Sequence, residues 1–336
     1  MKTKRAKTKY TVADVARDYT VKDLQRFCRK NYLNVKKSSR KEVFVQAVAD
    51  YVLENVGAIL SGLMKWDLEI VHDLVQIGPG KALAVGHSVI SYAETALFLR
   101  CTYDEKKDCT WFVMSDDLRE SIGSKAEELL ADASYRKKSE MLQFLQGLKY
   151  LYGFVYTWDA RADFERCYPE YKGNNEVWRE LMSSPNTYED VRFYRGNPEK
   201  GILICPLMDV VSPEIIDMLP TPEEQQQSRK VFTRQEILDA GNLPFPFFTC
   251  EPAHRLKEYL TEDLGITDAW LVDNLLFDFW LLGQPIYNKP TKAIEVVKAN
   301  IEADKEMLDE LTGLVEDYLD STPCWTLSGH SVNDKN

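Results

Sequence analysis

The sequence predicts a mainly α-helical fold with small β-hairpins, an α+β arrangement, for its 336 residues. Apolar residues recur at helical spacing in many segments, which indicates amphipathic helices. Two pairs of β-favouring runs flank the polar turns TYDEKKD and GNPEK, which indicates two hairpins. With 44% apolar and 28% charged residues, the chain can bury several small cores without metal or disulfide staples.

The first elements form a predicted helix, extended link and helix between residues 20 and 52. Thr20 followed by Asp23 predicts a capping box at the first helix. Residues 31–35 break the helical spacing, and Ser39 is the expected N-cap of the second helix. The second helix carries one apolar stripe, formed by Val43, Phe44, Ala47, Val48 and Tyr51.

The middle of the chain repeats one order of elements. Helices followed by a hairpin are expected over residues 57–135 and again over 136–210. In this order of elements, both units resemble winged-helix domains, which can place a last helix in the major groove and a wing on the backbone. The candidate last helix of the second unit, residues 174–181, holds two acids and one base. We therefore expect these units to bind protein or to pack, rather than to read DNA.

The remaining elements are helical over residues 211–320. Thr233 is expected to cap a short helix ending before Gly241. The segment DAWLVDNLLFDFWLLGQP is apolar almost all round and should lie in the middle of a bundle. A long amphipathic helix is predicted over 292–319, followed by a flexible tail at 321–336.

Charge is distributed unevenly along the chain. Residues 1–56 hold 14 Lys and Arg against 6 Asp and Glu, a net charge of +8. The other 280 residues hold 28 against 47, a net charge of −19. Opposite charges separated in this way attract different partners, so we expect the basic N-terminal region to meet a polyanion.

The basic region resembles the SAP and Rho-N-like family of helix-extended-helix modules. The matching residues are Thr20-Val21-Lys22-Asp23-Leu24 and Ser38-Ser39-Arg40-Lys41-Glu42. The resemblance implies DNA or RNA binding, with the loop and the start of the second helix near the phosphates. A helix start supports this independently, because its backbone N–H groups and positive dipole end attract anions.

The candidate nucleic-acid-binding residues are therefore the cations of this module together with one hydroxyl donor. They are Lys22, Arg26, Arg29, Lys30, Lys36, Lys37, Ser39, Arg40 and Lys41. Their expected mechanism is neutralisation of phosphates with release of counterions. The acidic remainder of the chain is expected to bind a protein partner or a second copy.

Two alternatives compete with this hypothesis. In the first, the protein only mediates protein interactions, and its basic region binds an acidic partner or its own acidic body. In the second, a hydrolase uses a composite acidic site, with candidate carboxylates at Asp159, Asp163, Glu165, Glu302, Asp304 and Glu306. Acidic residues on helices more often form solvated faces, so we expect no enzymatic activity.

The cysteines and histidines predict no metal site and no cofactor. Seven cysteines without a CxxC pair, and four scattered histidines, lack the spacing of zinc ligands. A disulfide is conceivable only between Cys101 and Cys109, across the first hairpin. No apolar stretch approaches the ~20 residues of a membrane span, so we expect a cytoplasmic protein without a membrane partner.

Overall fold

The computed structural model describes residues 3–5, 10–86, 96–104, 109–184, 187, 191–193, 201–208, 221–242, 248, 250–284 and 304–334. It confirms the predicted class, because these residues form mainly helices with two small antiparallel sheets. The chain divides into two compact units, Met1–Ser139 and Glu140–Asn336. The finer division into regions 1–56, 57–135, 136–210 and 211–320 stays a prediction.

The first unit contains helices and one four-stranded sheet. Its helices are α1 Val12–Asp18, α2 Val21–Lys30, α3 Lys41–Glu54, α4 Val56–Gly62, α5 Lys65–Gln76, α6 Asp116–Ile122 and α7 Lys125–Ala131. Its strands are β1 Thr3–Arg5, β2 Lys81–Gly86, β3 Arg100–Asp104 and β4 Cys109–Val113. The next helix, α8 Ala133–Tyr152, contains the boundary between the two units.

The sheet of the first unit has the order β1-β2-β4-β3, with antiparallel neighbours. The predicted hairpin is confirmed as β3 and β4, but its register pairs Cys101 with Phe112 and Cys109 with Asp104. The backbone positions of the two cysteines are thus offset along the hairpin and not opposed. The suggestion of a disulfide between them is therefore wrong. Cys101 is an exposed thiol.

The basic region is packed into the first unit. Both oxygens of the Asp117 carboxylate accept from the backbone N–H of Val12, at 3.1 and 3.2 Å, which places a negative charge at the start of α1. The Phe27 ring of α2 meets the Phe98 ring edge-on, with centroids 5.1 Å apart. These contacts join α1 and α2 to residues well beyond position 56.

The second unit contains the remaining helices and a three-stranded sheet. Its helices are α9 Thr157–Cys167, α10 Asn175–Ser183, α11 Pro222–Ser228, α12 Arg234–Ala240, α13 Glu251–Glu258, α14 Ala269–Leu282 and α15 Lys305–Ser321. Short 3-10 helices cover Pro169–Tyr171 and Trp325–Leu327, and a π-helix covers Tyr259–Asp263. Its strands are β5 Phe154–Tyr156, β6 Val191–Phe193 and β7 Gly201–Ile204.

The sheet of the second unit has the order β5-β7-β6. The predicted second hairpin is confirmed, because β6 and β7 pair antiparallel. The sequence predicted only a link at β5, which instead pairs with the far side of β7 in the register Phe154 to Ile204. Thr233 caps α12, as predicted, and Glu236 completes a capping box that the sequence analysis did not name.

The core of the second unit is rich in aromatic residues. Trp280 and Phe279 of α14 are almost completely buried, which confirms this helix as a core element. Trp325 is also fully buried, and its indole N–H donates to the Tyr150 carbonyl at 2.7 Å. Gly153 has φ +72°, and a Cβ there would lie 2.7 Å from Cγ of Trp325, so only glycine fits beside this ring. The prediction of a flexible tail from 321 is therefore wrong for this segment.

Some expected elements fall on residues that the structure does not describe. The predicted long helix over 292–319 is confirmed only from Lys305 onward, as α15. The central residues of both hairpin turns, 105–108 and 196–200, also lie outside the described residues. Within the described residues, no single helix has the length and apolar composition of a membrane span. The pair α3 and α4 passes that test only when joined across a 74° bend.

Candidate nucleic-acid interface

Four of the candidate nucleic-acid-binding residues lie on one face of α2. They are Lys22, Arg26, Arg29 and Lys30. Their spacing of four, three and one residues places them within an arc of about 100° on the helix surface. All four side chains are exposed, so α2 presents a cationic face to solvent.

The opposite face of α2 holds this orientation. Leu24 and Cys28 are buried, and burial raises the pKa of the Cys28 thiol. Phe27 packs edge-on against the Tyr51 ring of α3, with centroids 5.8 Å apart. The Thr20 hydroxyl and the Asp23 carboxylate form the predicted capping box at the start of the helix. Apolar packing on one side and capping at one end therefore fix which side chains face outward.

The link after α2 returns along the helix. The Gln25 side-chain amide donates to the Lys37 carbonyl at 3.0 Å. Gln25 lies three residues after Lys22 and four before Arg29, so it borders the cationic face of α2. Lys36 and Lys37, both exposed, are thereby placed beside that face.

The start of α3 differs by one residue from the prediction. Arg40, and not Ser39, is the N-cap, and no side chain caps this helix. The Ser39 backbone N–H instead donates to the Lys36 carbonyl at 2.9 Å and closes a turn. The prediction of Ser39 as N-cap is therefore wrong, and the exposed Arg40 occupies that place.

Lys41 has a partner inside the module. Its ammonium group donates to the Arg17 carbonyl at 2.5 Å, next to the end of α1. By contrast, five exposed cations have no side-chain hydrogen bond or ion pair within the described part of the chain. They are Lys22, Arg26, Lys36, Lys37 and Arg40.

Three carboxylates of the basic region have partners other than the candidate cations. Asp18 pairs with Arg100 at 2.8 Å, and Asp23 accepts from the Thr20 hydroxyl at 2.5 Å. Asp50 accepts from the Gln46 amide at 2.7 Å. Among the described residues, the basic surplus of the module is thus not cancelled by its own acids.

Arg17 contacts two further carboxylates of the basic region. It contacts Asp14 at 2.6 Å and Glu42 at 3.1 Å. The hydrogen bond with Glu42 raises the pKa of Arg17, and hydrogen bonds from Thr11 lower the pKa of Asp14. The negative charge of Glu42, at the start of α3, is therefore compensated within the module.

We define the cationic surface as the cations exposed on α2, the link and the start of α3. They are Lys22, Arg26, Arg29, Lys30, Lys36, Lys37 and Arg40. Reasoning from the sequence missed two of its supports, Arg17 and Gln25, because their partners lie 25 and 12 residues away. Helical spacing alone identifies Gln25 as a neighbour of Lys22 and Arg29, but not the backbone group that it binds.

The acidic residues of the alternative hydrolase site have different surroundings. Asp163 accepts from Arg166 at 3.0 Å and from Arg229 at 2.7 Å. Glu165 pairs with Arg161 at 2.8 Å, which lowers its pKa. Burial raises the pKa of Asp159. No group of three potential metal ligands occurs among the described residues, which include Asp304 but not Glu302.

The comparisons with other proteins give no family. No protein-family model, curated protein or solved structure matches this chain. The resemblance to SAP and Rho-N-like modules therefore stays a prediction, as does the winged-helix resemblance.

Proposed function

We propose that this protein is a non-enzymatic nucleic-acid-binding protein whose cationic surface holds phosphates. The supporting observation is the imbalance between the two signs of charge. Five cations of the surface are exposed without partners in the described part of the chain, while nearby carboxylates are engaged by other residues. A surface of exposed cations attracts a polyanion.

Binding would proceed by exchange of ions. Each phosphate that a Lys or Arg neutralises releases a condensed cation from the nucleic acid. The logarithm of the binding constant should therefore fall linearly with the logarithm of the salt concentration. The slope per contact is about −0.9 for duplex DNA and about −0.7 for a single strand.

The test uses the full chain, because α1 and α2 contact residues beyond position 56. Fluorescence anisotropy would measure the affinity for labelled DNA and RNA over a range of salt concentrations. The variant Lys36→Gln with Lys37→Gln removes two exposed charges whose side chains have no partner in the described structure. Its slope should become shallower by about 1.4 to 1.8.

A matched control removes two exposed cations of the second unit, through Lys172→Gln with Arg179→Gln. The control should retain the slope of the unmodified chain. Equal slopes for all three chains, or affinity independent of salt, would contradict the proposal.

The acidic remainder has its own role in the proposal. Its net charge of −19 disfavours contact with phosphates, so we assign it to a protein partner or a second copy. The pure protein-interaction alternative makes a different prediction. It would be favoured if the chain bound neither DNA nor RNA at low salt but captured an acidic protein through the cationic surface.

A further inference from the structure

The turn that ends α2 contains Tyr32, an unusual residue for this position. The Tyr32 backbone N–H donates to the Arg29 carbonyl at 3.3 Å, and the Leu33 N–H donates to the Cys28 carbonyl at 2.8 Å. These two bonds form a Schellman motif, which requires a left-handed residue after the helix. Tyr32 is that residue, with φ +55°.

Tyrosine is a poor choice for this backbone conformation. The Cβ of an L-residue crowds the backbone in the left-handed region, so glycine usually occupies this place and asparagine sometimes does. Packing against neighbours could offset such strain, but the Tyr32 side chain is 94% exposed. Its ring therefore contributes little to the stability of the fold, and strain retained without compensation indicates a functional role.

The surroundings of Tyr32 indicate what the ring binds. It lies two residues after Lys30, which ends α2 and shares its last turn with Arg29, and it precedes the exposed Lys36. Proteins that bind single strands combine cations along the backbone with aromatic side chains on which bases stack. In a duplex, the faces of the bases are already stacked on one another, so an exposed ring gains little there.

We propose that Tyr32 stacks on an unpaired base and that the ligand of the cationic surface is a single-stranded nucleic acid. This inference rests on the proposed function and specifies its ligand class. The left-handed turn sets the ring beyond the helix end, beside cations that would hold the adjacent phosphates.

The experiment compares one oligonucleotide without self-complementarity, as a single strand, with the same sequence in a duplex. Anisotropy at fixed salt gives the affinity of the full chain and of Tyr32→Gly, Tyr32→Trp and the control Val231→Ala. Tyr32→Gly removes the ring and suits the backbone, so it should melt at the same or a higher temperature than the unmodified chain. Val231 is another exposed apolar residue, in the second unit.

Tyr32→Gly should weaken single-strand binding by about five- to a hundredfold and duplex binding by less than about twofold. Tyr32→Trp and Val231→Ala should keep the single-strand affinity. Unchanged single-strand affinity in Tyr32→Gly, or equal losses for both ligands, would overturn the stacking role while leaving the proposed function intact. Absence of salt-dependent binding to either ligand by the unmodified chain would overturn both.

Discussion

The guanidinium Nε of Arg17 lies 3.1 Å from a carboxylate oxygen of Glu42, which joins the last turn of α1 to the first turn of α3. Both side chains are largely exposed to solvent, which screens their attraction, so the pair contributes little to stability. The pair matters more for the charge of the cationic surface than for stability, because Glu42 is the acidic residue nearest in sequence to Arg40. Arg17 compensates a charge that would otherwise oppose phosphate binding.

Replacing Glu42 with Gln should therefore strengthen nucleic-acid binding by about two- to fivefold, since ~0.5–1 kcal/mol is typical of one surface charge interaction. Arg17→Met should weaken binding, because it removes one cation and leaves Glu42 uncompensated. Anisotropy at low salt would measure both, with melting temperature as the control for folding. Identical affinities for both variants and the unmodified chain would show that this pair does not affect the ligand.

Lys41 and Arg40 should separate stability from binding. Lys41→Met removes the hydrogen bond to the Arg17 carbonyl and should lower the free energy of unfolding by about 1 kcal/mol. Arg40→Met should leave stability nearly unchanged but weaken binding, because its side chain has no partner within the described structure. Urea unfolding and anisotropy on the same samples would measure the two effects. The reverse pattern would move the phosphate contact from Arg40 to Lys41.

Trp325 should be required for the second unit. Its ring is fully buried against Trp280, with centroids 5.6 Å apart, and it fills the space that Gly153 leaves open. Trp325→Ala should lower the free energy of unfolding by about 3 to 5 kcal/mol, through lost burial and the remaining cavity. Trp325→Phe should cost less, because more of the volume stays filled. Equal urea midpoints for the alanine variant and the unmodified chain would contradict this packing.

Asp334, in the segment after Trp325, should make the free energy of unfolding depend on pH in the acidic range. Hydrogen bonds from Lys230, at 2.7 Å, and Ser331, at 2.9 Å, lower the pKa of Asp334 from 3.8 to about 2. A pKa that folding lowers stabilises the fold above the unfolded value, and this contribution is lost as pH falls toward the folded value. Asp334→Asn should thus be less stable than the unmodified chain near neutral pH. The difference should narrow as pH falls from about 4 to about 2, which urea unfolding at each pH would measure.

Local signals predicted much of the fold. Thr20 with Asp23 forms the capping box that its spacing indicates, and Thr233 caps α12 as predicted. Side-chain periodicity likewise placed α2, α3 and α14 within a few residues of their observed ends. These features depend on residues within one or two helical turns, and a sequence displays such neighbours directly.

The features that the sequence did not reveal depend on distant partners. The strand of Phe154 pairs with residues about fifty positions later. Its three residues favour β-structure, but so short a run does not by itself predict a strand. Trp325 lies in a polar segment typical of a loose end, and its burial depends on distant partners, Tyr150 and Trp280. Within the candidate interface, helical spacing grouped the cations of α2. It could not reveal the bond from Gln25 to Lys37 or the left-handed backbone of Tyr32.

The hydrogen bond between Trp325 and Tyr150 spans 175 residues, and this separation has a consequence for biosynthesis. A core closed by so distant a residue has a high contact order and can form only after almost all of its unit has been synthesised. The contacts that support the cationic surface, such as those of Lys41 with Arg17 and of Phe27 with Phe98, lie within the first unit. On the ribosome, where N-terminal domains fold first, the nascent protein would therefore form the surface proposed to bind a polyanion before the second unit is complete.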